Sequence, residues 1–412
     1  MLNLRKHFIF NSLRLVSRRL TSLNTGEKPL INFPIFFNSK KYFSTMESQE
    51  NHKLCMIPGP VEFHEDVLLS MSTPAISHVS PSFIPIFGES IELLRKIFFT
   101  ANGQPFVVSG SGTLGWDMVS SNLIEPGEDV LVVNTGYFGD SFADCLGTYG
   151  AKVTQVKADI GDRPALEEIH KALISKKFKA ITITHVDTST GVLSDVKAIA
   201  DLVKRHSPET LVIVDGVCSV GSEEIRVDEW GIDIVLTASQ KAIGVPPGLC
   251  ILIASEKAMS VFIMNSYESR KGMYFATPPV QLIYALHTSL KQITSIPLEK
   301  RFQQHKEVSN WIKDSLEELG LKFVPKNREV SANGMTAVYY PEGIKATDLI
   351  PRVAEHGVVI AGGLHRKIAS QYFRVGHMGI SVTEPRRKHI EKTIEALREN
   401  LNKLGYKSKG AN

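Results

Sequence analysis

Short apolar runs rich in β-branched residues recur through the middle of the chain, with amphipathic segments between them. The runs at residues 211–214 and 232–236 are typical of parallel strands that are covered on both faces of a sheet. Further strands are predicted from residue 106 and at residues 129–133, 152–158 and 180–186, and helices near residues 83–99, 163–176 and 195–206. This alternation of strand and helix predicts an α/β fold with a mainly parallel sheet.

The pattern changes towards the C-terminus. Helices are predicted at residues 281–295, 298–319, 346–356 and 385–404, and strands at residues 336–340, 358–361 and 372–375. We therefore expect a large domain over residues 46–296 and a smaller α+β domain over residues 297–412, with residues 46–70 able to pack on the smaller one. Residues 1–45 stand apart as a leader.

Composition narrows the class of protein. With 43% hydrophobic and 22% charged residues among 412, the chain resembles an ordinary globular protein. No apolar run reaches the roughly 20 residues of a membrane helix. The four cysteines, Cys55, Cys145, Cys218 and Cys250, lack paired spacing, so we expect reduced thiols and no metal site.

The net charge of +4 is carried by the leader. Residues 1–45 contain eight Lys or Arg and a single acid, Glu27, whereas the remainder is slightly acidic and gives no reason to expect nucleic acid as a partner. A basic leader with an apolar helical face is typical of a mitochondrial transit peptide, so we expect a protein of the mitochondrial matrix. A start at Met46 is the alternative and would give a cytosolic form. The chain ends in SKGAN, which is not the peroxisomal signal SKL.

Polar residues follow the two central strands. Asp215 closes the run at 211–214, and Ser239, Gln240 and Lys241 follow the run at 232–236. Because ligands of open α/β sheets bind at the carboxyl ends of the strands, an acid and a lysine delivered there can serve the two ends of one aromatic cofactor. Asp215 would keep a ring nitrogen protonated and Lys241 would form an imine, the protein signature of pyridoxal 5′-phosphate (PLP). Taken singly, each residue has a plainer interpretation, as a helix cap and as a solvated surface lysine.

A Gly- and Ser-rich turn precedes a predicted helix and offers backbone N–H groups, with the hydroxyls of Ser111 and Thr113, to a phosphate. The same turn contains GxGxxG, from Gly110 to Gly115, which favours a dinucleotide site as the alternative. That alternative needs an acid after the next strand to bind the ribose. Residues 134–138 stand there instead, and Phe138 could stack on a flat ring. With Thr188 after a further strand, these clusters are expected to converge on one sheet edge.

Several motifs carry a resemblance to a known family. They are SGSGT, HVDTSTGVL, VDGVCSVG, TASQKAIGVPPGL, KGMYFATPPVQL and FRVGHMG, and they cover the chain from about residue 53 to residue 403. They resemble the class V, fold-type I PLP-dependent aminotransferases, in particular the alanine–glyoxylate aminotransferase group in its fungal form. The resemblance implies the fold-type I architecture, PLP as cofactor and a homodimer with shared active sites.

The resemblance also implies a role for each matching residue. Lys241 corresponds to the lysine that bears PLP, and Asp215 to the partner of its pyridinium nitrogen. The other matching cofactor positions are Ser111, Gly112, Thr113 and Gln240 at the phosphate, Phe138 and Val217 on the two ring faces, Thr188 near the ring oxygen, and Tyr274 and Thr277 at the phosphate of the neighbouring subunit. Arg374 and Gly59 correspond to substrate-binding positions, Arg374 through the α-carboxylate.

The reaction expected from the resemblance is transamination of alanine with glyoxylate, which yields pyruvate and glycine. The substrates are small amino acids and 2-oxo acids, and no nucleic acid, membrane or metal is expected. A serine–pyruvate or serine–glyoxylate aminotransferase is the nearest alternative, while a cysteine desulfurase would need a cysteine in an evident mobile loop. Residues 256–271 form a shorter segment than in the family, so a non-catalytic protein with the same fold is also considered.

Overall fold

The structure is a computed structural model that describes residues 52–258, 270 and 277–407. The predicted leader and Tyr274 lie outside these residues. The strands are β1 (Leu54–Cys55), β2 (Gln104–Ser109), β3 (Asp129–Asn134), β4 (Lys152–Lys157), β5 (Ala180–Thr184), β6 (Val186–Asp187), β7 (Val192–Leu193), β8 (Leu211–Asp215), β9 (Ile234–Ala238), β10 (Leu249–Ala254), β11 (Met335–Tyr339), β12 (Val358–Val359), β13 (Ala361–Gly362) and β14 (Tyr372–Gly376). The helices are α1 (Glu65–Ser70), α2 (Phe83–Ile97), α3 (Gly112–Leu123), α4 (Tyr137–Thr148), α5 (Leu166–Leu173), α6 (Val196–His206), α7 (Val227–Trp230), α8 (Val280–Thr294), α9 (Leu298–Glu318), α10 (Ala346–Glu355), α11 (Ile380–Thr383) and α12 (His389–Lys403).

A seven-stranded sheet organises the chain, in the order β2-β10-β9-β8-β5-β3-β4. Strands β4, β3, β5, β8 and β9 pair in parallel. Strand β10 runs antiparallel to both β9 and β2, so β2 points the same way as the parallel strands. The prediction of an α/β fold with a mainly parallel sheet is confirmed, and the carboxyl ends of six of these strands open on one edge.

Helices cover both faces of this sheet. Every residue of β5, β8, β9 and β10 is buried, because the side chains on either face meet a helical layer. Helices α2, α6 and α8 contribute to the core on one face, and α3 and α4 contribute Trp116 and Phe142 on the other. Burying a large apolar side chain contributes about 1.5–3 kcal/mol, so these two layers hold the strand ends firmly in place.

A smaller sheet, β11-β14-β13, shares an apolar core with α9, α10 and α12. The N-terminal β1 pairs in parallel with β12, with Leu54 opposite Val358, and Leu54 and Met56 belong to this same core. The beginning of the described chain therefore packs on the C-terminal layer, while the domain boundary at residue 296 stays a prediction. Within the described ranges, no helix has the length and hydropathy that crossing a membrane requires.

Candidate active site

A cavity of about 160 Å³ lies at the carboxyl ends of the parallel strands. Nine of the residues that the sequence singles out line it, namely Ser111, Gly112, Thr113, Phe138, Thr188, Asp215, Val217, Gln240 and Lys241. They come from the ends of separate strands and from the start of α3, so the fold brings together groups that lie up to 130 residues apart in the chain. We call this space the cofactor pocket.

The other predicted site residues lie around the cofactor pocket or away from it. Gly59 packs against Lys241, and Arg374 reaches the carbonyl of Thr188. Thr277 is exposed and does not line the cofactor pocket, so its predicted contact with a neighbouring subunit stays a prediction. Tyr274 lies outside the described residues.

Asp215 is buried at the end of β8, where it follows four buried apolar residues. Its Oδ1 accepts the N–H of Val217 at 3.0 Å, and its Oδ2 accepts the indole N–H of Trp116 at 2.9 Å. Burial raises the pKa of Asp215 to about 6, although both hydrogen bonds lower it. The carboxylate is therefore mostly ionised at neutral pH, and its remaining lone pairs can accept a bond from a cationic donor.

Lys241 lies on the loop after β9 and lines the cofactor pocket together with the start of α3. Its Nζ donates a hydrogen bond to the carbonyl of Pro58. Gly59 permits this approach, because its φ is +104° and a Cβ built on it would lie 2.7 Å from Lys241 Cε. Burial lowers the pKa of the Lys241 amine, which favours the neutral form that can attack a carbonyl.

The start of α3 forms an anion site on one side of the cofactor pocket. Ser111 is the N-cap residue without a side-chain capping bond, and its Oγ lies 2.7 Å from Thr113 Oγ1. The N–H groups of Gly112 and Thr113 have no hydrogen-bond partner among the described residues and belong to the first turn of the helix. A phosphate at this helix end would receive these N–H groups and the two hydroxyls.

Phe138 is held in place by a buried acid. Asp187 Oδ2 accepts the N–H of Phe138 at 3.1 Å and that of Gly139 at 3.3 Å, while its Oδ1 accepts the N–H of Ser189 at 2.9 Å. Asp187 thereby caps α4 and fixes the Phe138 ring, whose centroid lies 6.4 Å from that of Trp116. Burial raises the pKa of Asp187, and the hydrogen bonds partly offset this rise.

Arg374 stands in the middle strand of the smaller sheet and is largely buried. Its Nε donates to the carbonyl of Gly362 at 2.7 Å and its Nη1 to the carbonyl of Thr188 at 3.2 Å. No carboxylate of the described chain forms an ion pair with it. Burial lowers the pKa of the Arg374 guanidinium, but an arginine still keeps its charge at neutral pH. A charged donor without a counter-ion among the described residues therefore lies beside the cofactor pocket.

Three residues of the site were not predicted. Trp116, on α3, donates a hydrogen bond to Asp215. Asp187 positions Phe138, and Cys218 lines the cofactor pocket beside Val217. Trp116 follows Gly112 by one helical turn, which is a usable signal for a side chain on the same helix face. Burial raises the pKa of Cys218 to about 11, so this thiol stays protonated and is a poor nucleophile.

The sequence of this chain matches a known protein family. Residues 70–381 match the family model described as "Aminotransferase class-V". The chain belongs to the class-V aminotransferases. This membership excludes the dinucleotide interpretation of the turn at Gly110 to Gly115.

Relatives and solved structures agree with the family. The chain is 44% identical over 374 residues to alanine–glyoxylate aminotransferase 1 of Saccharomyces cerevisiae, a match that covers 83% of this chain and 96% of the yeast protein. It is 31% identical to serine–glyoxylate aminotransferase of Arabidopsis thaliana, over 78% of this chain and 84% of the plant protein. The crystal structure of an alanine–glyoxylate aminotransferase from Nostoc sp. superposes with a TM-score of 0.78 at 29% identity, over 92% of this chain and 100% of the other.

The chain is a PLP-dependent aminotransferase, and its own geometry fits this cofactor. The start of α3 offers unpartnered N–H groups to the phosphate, and Asp215 offers a buried carboxylate to the pyridinium nitrogen. The side-chain amide of Gln240 lines the cofactor pocket, and its buried Oε1 has no hydrogen-bond partner. A bound group that donates a hydrogen bond to Gln240 Oε1 would satisfy this atom, while the amide Nε2 could donate to a phosphate oxygen. Lys241, which lines the same pocket, would supply the amine for attaching PLP.

Proposed function

We propose that this aminotransferase transfers the amino group of alanine to glyoxylate and thereby yields pyruvate and glycine. The yeast and Nostoc proteins to which it is similar both carry the name alanine–glyoxylate aminotransferase, which supports this substrate pair. The single structural observation that carries the proposal is the charge around the cofactor pocket. Lys241 is the only cation among the described residues that line it, and Arg374 lies beside it as a candidate carboxylate receptor.

This distribution favours substrates with one carboxylate. A dicarboxylic substrate such as aspartate would need a second cation for its side-chain carboxylate, because an unpaired charge in a desolvated pocket is costly. Alanine and glyoxylate each carry one carboxylate, which Arg374 would bind, and neither has a charged side chain. Serine also meets this condition, and the similarity to the Arabidopsis serine–glyoxylate aminotransferase makes serine the second candidate donor.

The residues of this chain divide the work of the reaction. When bound, PLP would provide an acceptor for the electron pair that stays on the substrate α-carbon when its proton leaves. Lys241 Nζ, whose pKa is lowered by burial, takes up this proton and returns it, while Arg374 orients the α-carbon through its carboxylate. Asp215 would keep a negative charge beside the ring nitrogen, and Phe138 would exclude water from one ring face.

We further propose a mitochondrial homodimer whose active sites are shared. The basic residues of the leader support the location, and Thr277, which is exposed and does not line the cofactor pocket, supports a contact with a second subunit. Sedimentation equilibrium of the holoenzyme tests the dimer, and a monomer at micromolar concentration would contradict it. Import of the full chain into isolated mitochondria tests the location, and a product of unchanged length left outside would contradict that part. Glycine supply is the role that follows from the proposed products.

Rapid-mixing absorbance spectra of the holoenzyme test the reaction. We expect alanine to convert the cofactor spectrum to that of the amino form, and glyoxylate to restore it. Serine in place of alanine gives the comparison, and the donor with the larger ratio of rate to dissociation constant is the substrate. A spectrum that neither donor changes would refute transamination and favour a non-catalytic PLP protein.

A further inference from the structure

A second cavity lies next to the loop that carries Lys241. Its volume is about 490 Å³, and it shares no lining residue with the cofactor pocket. Its walls include Ala242 to Gly244, the end of α8, the start of α9 and the region of α11. We call it the Arg301 cavity, after the cation in its wall.

Arg301 carries a buried charge without a counter-ion. The residue is 6% exposed, and its Nε and Nη2 donate to the backbone carbonyls of Gly221 at 2.8 Å and Ala242 at 2.9 Å. Its third nitrogen, Nη1, has no hydrogen-bond partner among the described residues, and no described carboxylate forms an ion pair with the guanidinium. Burial lowers the pKa of Arg301 to about 10, so the group is charged at neutral pH.

The acid in the wall of this cavity already has partners. Glu384 lines it, but its Oε2 lies 2.7 Å from Arg387 Nε and its Oε1 lies 3.2 Å from His64 Nε2. Lys291, a second cation in the wall, forms no ion pair with the described residues. The balance of charge around the space is therefore positive, and a buried cation of this kind is stabilised most by an anion that hydrogen-bonds to it.

The rest of the wall indicates what kind of anion fits. Four isoleucines contribute to it, namely Ile243, Ile293, Ile296 and Ile380. A planar guanidinium matches a carboxylate, and isoleucine side chains favour a short hydrocarbon tail over the hydration shell of an inorganic ion. The space is also much larger than a single halide ion requires.

We propose that the Arg301 cavity binds a short-chain carboxylate, with Arg301 Nη1 and Lys291 as its charged contacts. Arg301 joins this site to the cofactor pocket, because its Nη2 holds the carbonyl of the residue that follows Lys241. The site does not depend on which amino acid the enzyme uses, since its ligand does not react.

The experiment is equilibrium dialysis of the full-length holoenzyme against radiolabelled propionate, in a variant that lacks the predicted substrate receptor, Arg374→Gln. We expect saturable binding of one propionate per protomer. Acetate, shorter by one methylene, should bind about fourfold more weakly. Loss of the charged donor in Arg374→Gln/Arg301→Gln should weaken binding about tenfold or more.

A pair of variants at Ser295 keeps the test decisive if Arg301→Gln fails to fold. Ser295 lines the cavity and is exposed, so the fold tolerates exchange there. Added to Arg374→Gln, Ser295→Asp places a competing carboxylate in the cavity and should weaken propionate binding about tenfold, whereas Ser295→Asn, with nearly the same shape, should leave it unchanged. Absence of saturable binding, or equal binding by the Asp and Asn variants, would overturn the proposal. Displacement of propionate by inorganic phosphate at lower concentrations than by acetate would overturn the carboxylate assignment.

Discussion

The cofactor pocket and the Arg301 cavity each contain a buried cation, but the two cations differ in what burial can do to them. Burial lowers the pKa of Lys241 and brings its neutral, nucleophilic form within reach. Burial also lowers the pKa of Arg301, to about 10, yet this group keeps its charge at every physiological pH. The same loss of solvent therefore prepares a lysine for covalent chemistry and an arginine for holding an anion.

The largest expected effect comes from exchanging the cation of the cofactor pocket. Lys241→Arg keeps a positive charge but removes the amine that can lose its proton and attack a carbonyl. We expect turnover to fall about 10⁴-fold or more, with PLP still bound at the phosphate site. Steady-state assays and the absorbance of bound cofactor measure the two effects.

Lys241→Ala controls for the larger side chain that Lys241→Arg introduces. Arg301→Lys makes the opposite replacement, of arginine by lysine, in the Arg301 cavity. We expect Lys241→Ala to lose as much turnover as Lys241→Arg, and Arg301→Lys to lose little turnover, since Arg301 does not line the cofactor pocket. Turnover by Lys241→Arg within about tenfold of wild type would remove the distinction drawn between the two cations.

The intermediate effect concerns the pH dependence of stability in cofactor-free protein. Burial raises the pKa of Asp215 from 3.8 to about 6, so the folded protein binds this proton more tightly than the unfolded chain does. The contribution of Asp215 to the free energy of unfolding therefore falls as pH rises through this window, by about 3 kcal/mol in total, and is constant above it. Arg301 stays charged across the same range and adds no such slope.

Urea unfolding of the cofactor-free wild type and of Asp215→Asn between pH 4 and 7 isolates this effect. The variant lacks the titrating group, so the stability difference between the two proteins should decline with rising pH and level off at neutral pH. A difference that is flat with pH would mean that Asp215 is solvated in the free protein. The cofactor pocket would then lack the desolvation that sets it apart from the surface.

Parts of the fold can be predicted from the sequence where a local residue pattern is sufficient to determine a strand or a helix. The apolar run at 211–214 predicts β8, and the clusters at its end and at the end of β9 predict where the site lies. The order of the strands does not follow in the same way. Strand β10, whose run LCILIA comes soon after the Lys241 loop, turns back between β9 and β2, and this choice depends on packing between distant segments.

The residues of the candidate site also differ in whether the sequence predicts them. Asp215 and Lys241 are predictable because each ends a strand, and the resemblance to the family supplies the positions around them. The bond from Trp116 to Asp215 spans 99 residues, and the bond from Arg301 to Ala242 spans 59. In the sequence, Trp116 resembles any core tryptophan and Arg301 resembles any surface arginine. Only the fold reveals which groups they hydrogen-bond to.

The smallest expected effect tests whether an anion near Arg301 stabilises the protein. Ser295 lies between the C-terminus of α8 and the N-terminus of α9, whose dipoles act on a charge there in opposite senses. A carboxylate at this exposed position can serve Arg301 as a partial counter-ion. We expect the Ser295→Asp holoenzyme to melt about 1–2 °C above Ser295→Asn in buffer free of carboxylates, by calorimetry.

Propionate distinguishes the cause of that difference. If the charge of Asp acts on Arg301, saturating propionate should raise the melting temperature of Ser295→Asn more than that of Ser295→Asp, because the Asp already occupies the same role, and the gap should close. A gap of unchanged size at saturating propionate would mean that the added charge acts on the surface alone. The buried charge of Arg301 would then be stabilised by the two backbone carbonyls without any ligand, and the cofactor pocket would be the only one of the two built around a bound molecule.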